Sequence, residues 1–384
     1  MRLPPKSAVR TLLTGLAALG LSAAGATADV EYTVVDLGTL GGTNSEATGI
    51  NDRSQVVGWA KDANGRTQAF LWEHGTLTGL GFLTNRWSNS IATAINNQGE
   101  ITGYSSITST NAHAFICMSN IMTDIGTLGG AESWGRAINE NHDIAGWSQL
   151  ISNYPSSTDR KSYCWRSNQM IYIPTYIATH FGEAYGVNEN GLVCGETATY
   201  FANTAIPWGY IWQDKNTNGI YEEGEMAILG SLGVSFTASS GSGARGMNDM
   251  GQVVGWSYLT NNSIWHAFLV TASNGQWYVT TSNFWGNTTN VLMRDLGALE
   301  SPAQKSYASA INNQSWIVGD SSTASGTNHA FLWRDGVMTD LNDLIPPSSG
   351  WLLTGATNIN NHGEIVGTGR YLGQTRAYLL TKSG

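Results

Sequence analysis

The feature that most constrains this chain is a unit written seven times. An Asn after an apolar residue, with Gly seven places on, recurs as Asn51/Gly58, Asn96/Gly103, Asn139/Gly146, Asn188/Gly195, Asn248/Gly255, Asn312/Gly319 and Asn360/Gly367. The spacings are 45, 43, 49, 60, 64 and 48 residues. A unit of this size cannot bury its own apolar face alone, so it needs copies of itself as neighbours.

Each copy reads as four short strands separated by turn signals, as in "SIATAIN", "EITGYS", "HAFICM" and "IMTDIG" of residues 90–126. No stretch carries a helical period. The first two strands of a copy, a and b, are joined by a tight hairpin that the anchor Asn opens. The third residue after the anchor is Gly99, Gly191, Gly251 or Gly363 in four copies and Ser54, His142 or Ser315 in the others. Gly suits a position where φ is positive.

Four antiparallel strands at this period predict a β-propeller blade, and seven copies predict a ring of seven. The seventh copy supplies "TGATNIN", "EIVGTG" and "RAYLLT" and then runs out one strand short. The strand it needs is "YTVVDLG" at residues 32–38, which resembles "VMTDLN" and "IMTDIG". Pairing these two ends closes the ring and removes an open sheet edge. Four places before each anchor stand Ala47, Ala92, Gly135, Ala184, Ala244, Ala308 and Ala356; two places before stand Gly49, Ala94, Ala137, Gly186, Gly246, Ala310 and, as an exception, Asn358. Strand a is therefore expected innermost, where blades crowd. Phe70, Trp72, Phe115, Phe331 and Trp333 fall on strand c, where the wedge between blades is wide.

"INNQGEITGYS", "HAFLW" and "DLGTLGG" resemble the extracellular repeat family named for its His-Ala-Phe motif, across the whole of residues 29–384. The resemblance implies secretion and a propeller-like repeat, and it brings no established activity. The third copy departs most, with "SYCWR" in place of the motif.

Arg2, Lys6 and Arg10 precede the apolar run "TLLTGLAALGLSAAG" and the small-residue site Ala26-Thr27-Ala28. This pattern predicts a signal peptide over residues 1–28, cleaved before Asp29, and an extracellular or periplasmic protein. The run is too short to span a bilayer. Its loss takes the net charge from −9 to −12, and only 12% of the chain is charged. So acidic a surface lacks the basic stripe that nucleic acid requires, and anionic membrane is equally disfavoured. A monomer is expected. Cys117, Cys164 and Cys194 are odd in number and lie in apolar runs. They read as buried small hydrophobes, with one disulfide and a free thiol as the alternative.

The motif His recurs as His113, His266 and His329, with Gln68, Lys161 and Arg376 near the same place in other copies. A residue repeated around a ring predicts hydrogen bonding within or between blades, because catalysis needs one site. A more specific motif is "DKNTNGIYEEGE" at 214–225, between strands c and d of the fourth copy. Asp214, Asn216, Asn218, the Ile220 carbonyl, Glu222 and Glu225 hold the ligand positions of a calcium loop, with Gly219 at its sharp turn. The expected cofactor is one structural Ca²⁺. Strand-like flanks leave no helix pair to open, so its role is to stiffen a long loop.

In a propeller the d-to-a and b-to-c loops emerge on one face. Here they carry Trp87, Glu132, Trp134, Tyr154, Tyr200, Trp265 and Tyr307, none of which the repeat requires. Strand a adds Glu46, Arg136, Glu183, Tyr185 and Arg245 at unmatched positions. The candidate ligand site is thus Trp87, Trp134, Arg136, Glu46, Glu183, Tyr185, Arg245 and Tyr307. Aromatic rings with a few charges around a funnel suit an uncharged polar ligand such as a glycan, or an extracellular protein partner. The sequence carries no catalytic signature, so a non-enzymatic recognition module is the expectation. The alternative is a carbohydrate-active hydrolase or lyase in the same funnel, with Glu46 and Glu183 as an acid–base pair.

Overall fold

The small residue four places before each anchor lets neighbouring strands a approach closely, and a ring results. The computed structural model describes residues 30–151, 160–174, 181–201, 204–216, 218, 220, 222, 224–233, 241–259, 263–272, 278–279, 290–291, 293–300 and 304–383. It is a seven-bladed β-propeller of four-stranded antiparallel sheets, ordered a-b-c-d in each blade. Blades 1 to 6 span residues 41–81, 90–124, 129–173, 182–228, 242–295 and 306–340. Blade 7 takes Trp351–Ile359, Ile365–Tyr371 and Gln374–Lys382 as its first three strands and Tyr32–Asp36 as its fourth. The closing pair runs from Tyr32 opposite Lys382 to Asp36 opposite Tyr378. Blade 5 carries a further two-stranded hairpin, Tyr278–Val279 with Asn290–Val291, between its strands c and d. The expected signal peptide lies outside the described residues.

The repeated Gly is a packing requirement. Strand a bulges between the positions four and two before the anchor, as between Ala47 and Gly49. The bulge lays the Glu46 carbonyl against Gly58, so a Cβ there would overlap the oxygen. The same holds at Gly103 against Ile91 and at Gly319 against Tyr307. Across strand b each of these glycines faces a buried aromatic of strand c: Phe70, Phe115, Tyr163, Tyr210, Phe268, Phe331 and Tyr378. Burying one such ring contributes about 2–3 kcal/mol.

Each residue of the His-Ala-Phe motif has its own task. His113 Nδ1 lies 2.8 Å from Asp124 on strand d, and His266 and His329 meet Asp295 and Asp340 in the same way. Arg376 takes this place in blade 7, donating to Asp36 at 2.9 Å. The Ala114 N–H donates to Ser133 Oγ of the next blade at 2.9 Å, and Ala267 does so to Ser306 at 2.8 Å. The Phe fills the core opposite Gly. The recurring histidines are therefore latches within blades.

The anchor asparagines form a closed circle. Asn51 Nδ2 donates to the Asn96 carbonyl at 2.9 Å, and the pattern continues through Asn139, Asn188, Asn248, Asn312 and Asn360 back to Asn51. Each Oδ1 accepts main-chain N–H groups of its own hairpin, as from Arg53 and Gln55. A second circle lies beside it, in which the N–H of Asp52, Asn97, Glu140, Glu189, Asp249, Asn313 and Asn361 each donates to the next member's side chain. The hairpin position predicted to favour Gly has φ between 59° at Ser54 and 84° at Gly99. Cys117, Cys164 and Cys194 are buried free thiols, and burial pushes them up to about 11, 12 and 12.

Candidate functional site in the central channel

Three positions per blade line the channel toward the d-to-a and b-to-c face: the residues five and three before the anchor, and the strand b residue after the repeated Gly. Where the ring is plain, the middle position is Thr. Thr48, Thr93 and Thr357, on blades 1, 2 and 7, each donate to a carbonyl of the next blade at 2.8–3.0 Å. Blades 3, 4 and 5 replace that Thr with Arg136, Tyr185 and Arg245. One wall of the channel is thereby rebuilt.

That wall is an alternating stack of rings and guanidinium groups. Arg136 lies over Trp134 at 5.0 Å and over Tyr185 at 5.6 Å; Arg245 lies over Tyr185 at 3.8 Å and over Tyr307 at 5.6 Å. Trp134 in turn stacks on Tyr104 of blade 2, with centroids 3.9 Å apart and planes at 8°. The charges cancel in pairs. Arg136 Nε donates to Glu183 at 2.7 Å and Arg245 Nη2 to Glu196 at 2.7 Å, while Arg245 Nε donates to the Tyr307 hydroxyl. Burial pushes the Tyr307 hydroxyl up to about 12 despite the nearby Arg245. Burial also raises Glu196, with Arg245 opposing it. Desolvation works against the Arg245 charge, yet Tyr307, Glu196 and Tyr185 raise its pKa overall.

Six of the eight residues expected at the site, Trp134, Arg136, Glu183, Tyr185, Arg245 and Tyr307, meet in this wall. The other two stand apart. Glu46 lies on blade 1, where it accepts from Trp59 Nε1 at 3.2 Å, and burial raises its pKa against that bond. It is three blades away from Glu183, so the two do not form a side-by-side carboxyl pair. Trp87, between blades 1 and 2, is partly buried under Arg86 at 5.3 Å. Trp265 packs with Tyr258 at 6.0 Å and under Lys305 at 3.9 Å, and Glu132 accepts from Gln149 at 3.4 Å. Tyr154 and the Tyr200 side chain lie outside the described residues.

The strand b positions lie beside these around the ring: Trp59, Tyr104, Trp147, Glu196, Trp256, Asp320 and Thr368, with Trp147 fully buried behind the wall. Asp320 is a channel carboxylate absent from the sequence-derived site. It pairs in register with Tyr307 and accepts from Asn328 Nδ2 at 3.0 Å. Burial pushes it up to about 6. The signal was available, since the residue after the repeated Gly is aromatic in four blades and acidic in two.

In the 214–225 loop, Asp214 and Glu225 are buried. Glu225 accepts from the N–H of Lys215 at 3.0 Å and of Glu222 at 2.9 Å. Asn216 accepts from the Asn218 N–H at 3.1 Å, Asn218 from the Ile220 N–H at 2.7 Å, and the Asn218 amide donates to Glu222 at 3.0 Å. Gly219 lies outside the described residues. Among the described residues, no three His, Cys, Asp or Glu side chains converge on one point. The loop's oxygens are hard donors of the kind calcium takes, and they sit in one short segment.

No protein-family model matches the chain, and no curated protein matches it. Solved structures do. The β-propeller domain of the Trilobed protease from Pyrococcus furiosus aligns with a TM-score of 0.53 at 8% identity, over 88% of this chain and 97% of that one. A puromycin-hydrolyzing peptidase from Mycobacterium tuberculosis aligns with a TM-score of 0.56 at 7% identity, over 92% of this chain and 54% of that one. At such identity the likeness is one of fold alone. No helix among the described residues is long and apolar enough to cross a membrane.

Proposed function

We propose that this protein is a secreted recognition module that binds a glycan, or a partner protein in its place, at the channel wall of blades 3 to 6. The observation that carries this reading is the asymmetric wall. Blades 3, 4 and 5 replace a structural Thr with Arg or Tyr, and blade 6 adds Tyr307, none of which the ring needs in order to close. Such a surface offers ring edges, hydroxyls and guanidinium groups while staying close to neutral, which suits an uncharged polar ligand. The sequence resemblance to the His-Ala-Phe repeat family supports export after cleavage near Ala28, which N-terminal sequencing of the exported protein tests. A Ca²⁺ held by Asp214, Asn216, Asn218, the Ile220 carbonyl, Glu222 and Glu225 is part of the same proposal, as a brace for the blade 4 loop. The binding reading is tested by glycan-array screening of the mature protein, followed by calorimetry with the Trp134→Ala and Tyr185→Ala variants.

A second reading, a hydrolase or lyase, is favoured by one observation. Glu46 and Asp320 are channel carboxyls with raised pKa and no Arg or Lys partner among the described residues. Glu183 is a poorer acid–base candidate, because Arg136 holds it as a buried ion pair. An assay for new reducing ends or unsaturated products, with Glu46→Gln and Asp320→Asn as controls, separates the two readings.

A further inference from the structure

The wall ends at Tyr307, and the space beyond it differs from the rest of the ring. In blade 7 the channel position that holds Glu46, Trp134 or Tyr307 elsewhere is Gly355. A Cβ at Gly355 would meet only the Asp320 Cβ, at 3.9 Å. Blade 5 also has Gly there, but a Cβ at Gly243 would run into Trp256 Nε1 at 2.6 Å and into Glu196. The ring therefore leaves one such position open, and Asp320 forms its side.

The groups around this opening form a complementary set. Asp320 has one hydrogen-bond donor, Asn328, and no cation within ion-pairing distance among the described residues. On the other side of Tyr307, Arg245 spends Nε on the Tyr307 hydroxyl and Nη2 on Glu196. Its Nη1 is buried and has no acceptor among the described residues. A carboxylate with room to accept, beside an aromatic ring, matches the hydroxyls and the apolar face of a sugar ring.

We infer that the space over Gly355 is a subsite for one neutral pyranose unit, whose hydroxyls donate to Asp320 and whose ring packs beside Tyr307. The carboxylate beside it disfavours acidic sugars, since Glu183 and Glu196 already balance Arg136 and Arg245. This inference rests on the glycan reading proposed above and specifies where in the wall the sugar sits and which class it is.

The test uses the full mature chain and calorimetric titration with neutral hexasaccharides of glucose, mannose and xylose, alongside an oligogalacturonate of equal length. Gly355→Val fills the opening against Asp320 without replacing a wall side chain, and Asp320→Asn removes the charged acceptor while keeping its shape. The expected result is binding of a neutral hexasaccharide that weakens at least about tenfold in each variant, with unchanged melting of Gly355→Val. Neutral binding that survives both substitutions overturns the subsite and leaves the recognition reading standing. Preference for the galacturonate overturns the neutral class. Binding of none of the four probes by the parent protein removes the glycan reading and the subsite with it. Should Gly355→Val melt early, Asp320→Asn alone decides.

Discussion

The Asn360 side-chain amide donates to the Asn51 main-chain carbonyl at 3.1 Å, across 309 positions of sequence. This bond closes the circle of seven anchor asparagines. It is the hydrogen-bonded counterpart of the strand pairing by which Tyr32–Asp36 completes blade 7.

The asparagine circle predicts a stability cost at each of its members. Asn360→Ala leaves the Asn51 carbonyl and the N–H groups of His362 and Glu364 without their partner. The expected loss is about 1–3 kcal/mol by chemical denaturation. Asn188→Ala should lose a similar amount, because the circle has no special member. A loss at Asn360 alone would place the effect in the closing blade and not in the circle.

Closure by the N-terminal strand predicts that deleting residues 29–38 exposes two sheet edges and lowers the melting temperature of the whole ring. Arg376→Ala, which releases Asp36 on that strand, should act in the same direction and more weakly. Unfolding of the truncated chain at the temperature of the full chain would contradict the closure.

Asp320 predicts a pH dependence with a definite sign. Its folded-state pKa of about 6 lies above the unfolded value of about 3.9, so the native state binds more protons between these values. The stabilisation from its protonated form is complete below about pH 4 and is lost as pH rises through about 6. Asp320→Asn should therefore be more stable than the parent at pH 7, by up to about 3 kcal/mol, and little more stable at pH 4. Equal effects at both pH values would show that Asp320 is not desolvated in the fold. The same substitution is expected to weaken the sugar subsite, so stability and binding should move in opposite directions.

Calcium should raise the melting temperature of the parent protein, and chelator should reverse the gain. Asp214→Ala and Glu225→Ala should each abolish the calcium-dependent difference. An unchanged melting curve in calcium and in chelator would remove the metal from the account.

Much of the ring is legible in the amino-acid sequence. The Asn and Gly spacing, the small residues of strand a and the strand-like "YTVVDLG" specify the blade count, the inner strand and the closing partner. The bulge in strand a is not legible, because it depends on a register shift between strands that periodicity does not record. The bulge places the Glu46 carbonyl on Gly58 and brings the strand b residue that follows into the channel layer. Glu196 and Asp320 stand out in the sequence only as the two acidic residues of a mostly aromatic position, and their place beside the channel follows from that register. Trp87 shows the opposite case. A loop on the right face does not fix where its side chain points, and Arg86 covers part of this ring. The asparagine circle joins residues 43 to 64 apart between successive copies, a relation that local reading of a hairpin does not reach.

The central claim, that the rebuilt wall of blades 3 to 6 binds a ligand without transforming it, is tested most directly by one calorimetric titration. The glycan selected on an array is titrated into the parent and into Tyr185→Ala, with product analysis of the same cell contents. Tyr185 sits between Arg136 and Arg245, so removing its ring interrupts the stack at its centre. Saturable binding to the parent, at least tenfold weaker binding to Tyr185→Ala (about 1.4 kcal/mol) and an intact glycan at the end are expected. Equal affinity in the two proteins, or cleaved glycan in the parent cell, would contradict the claim.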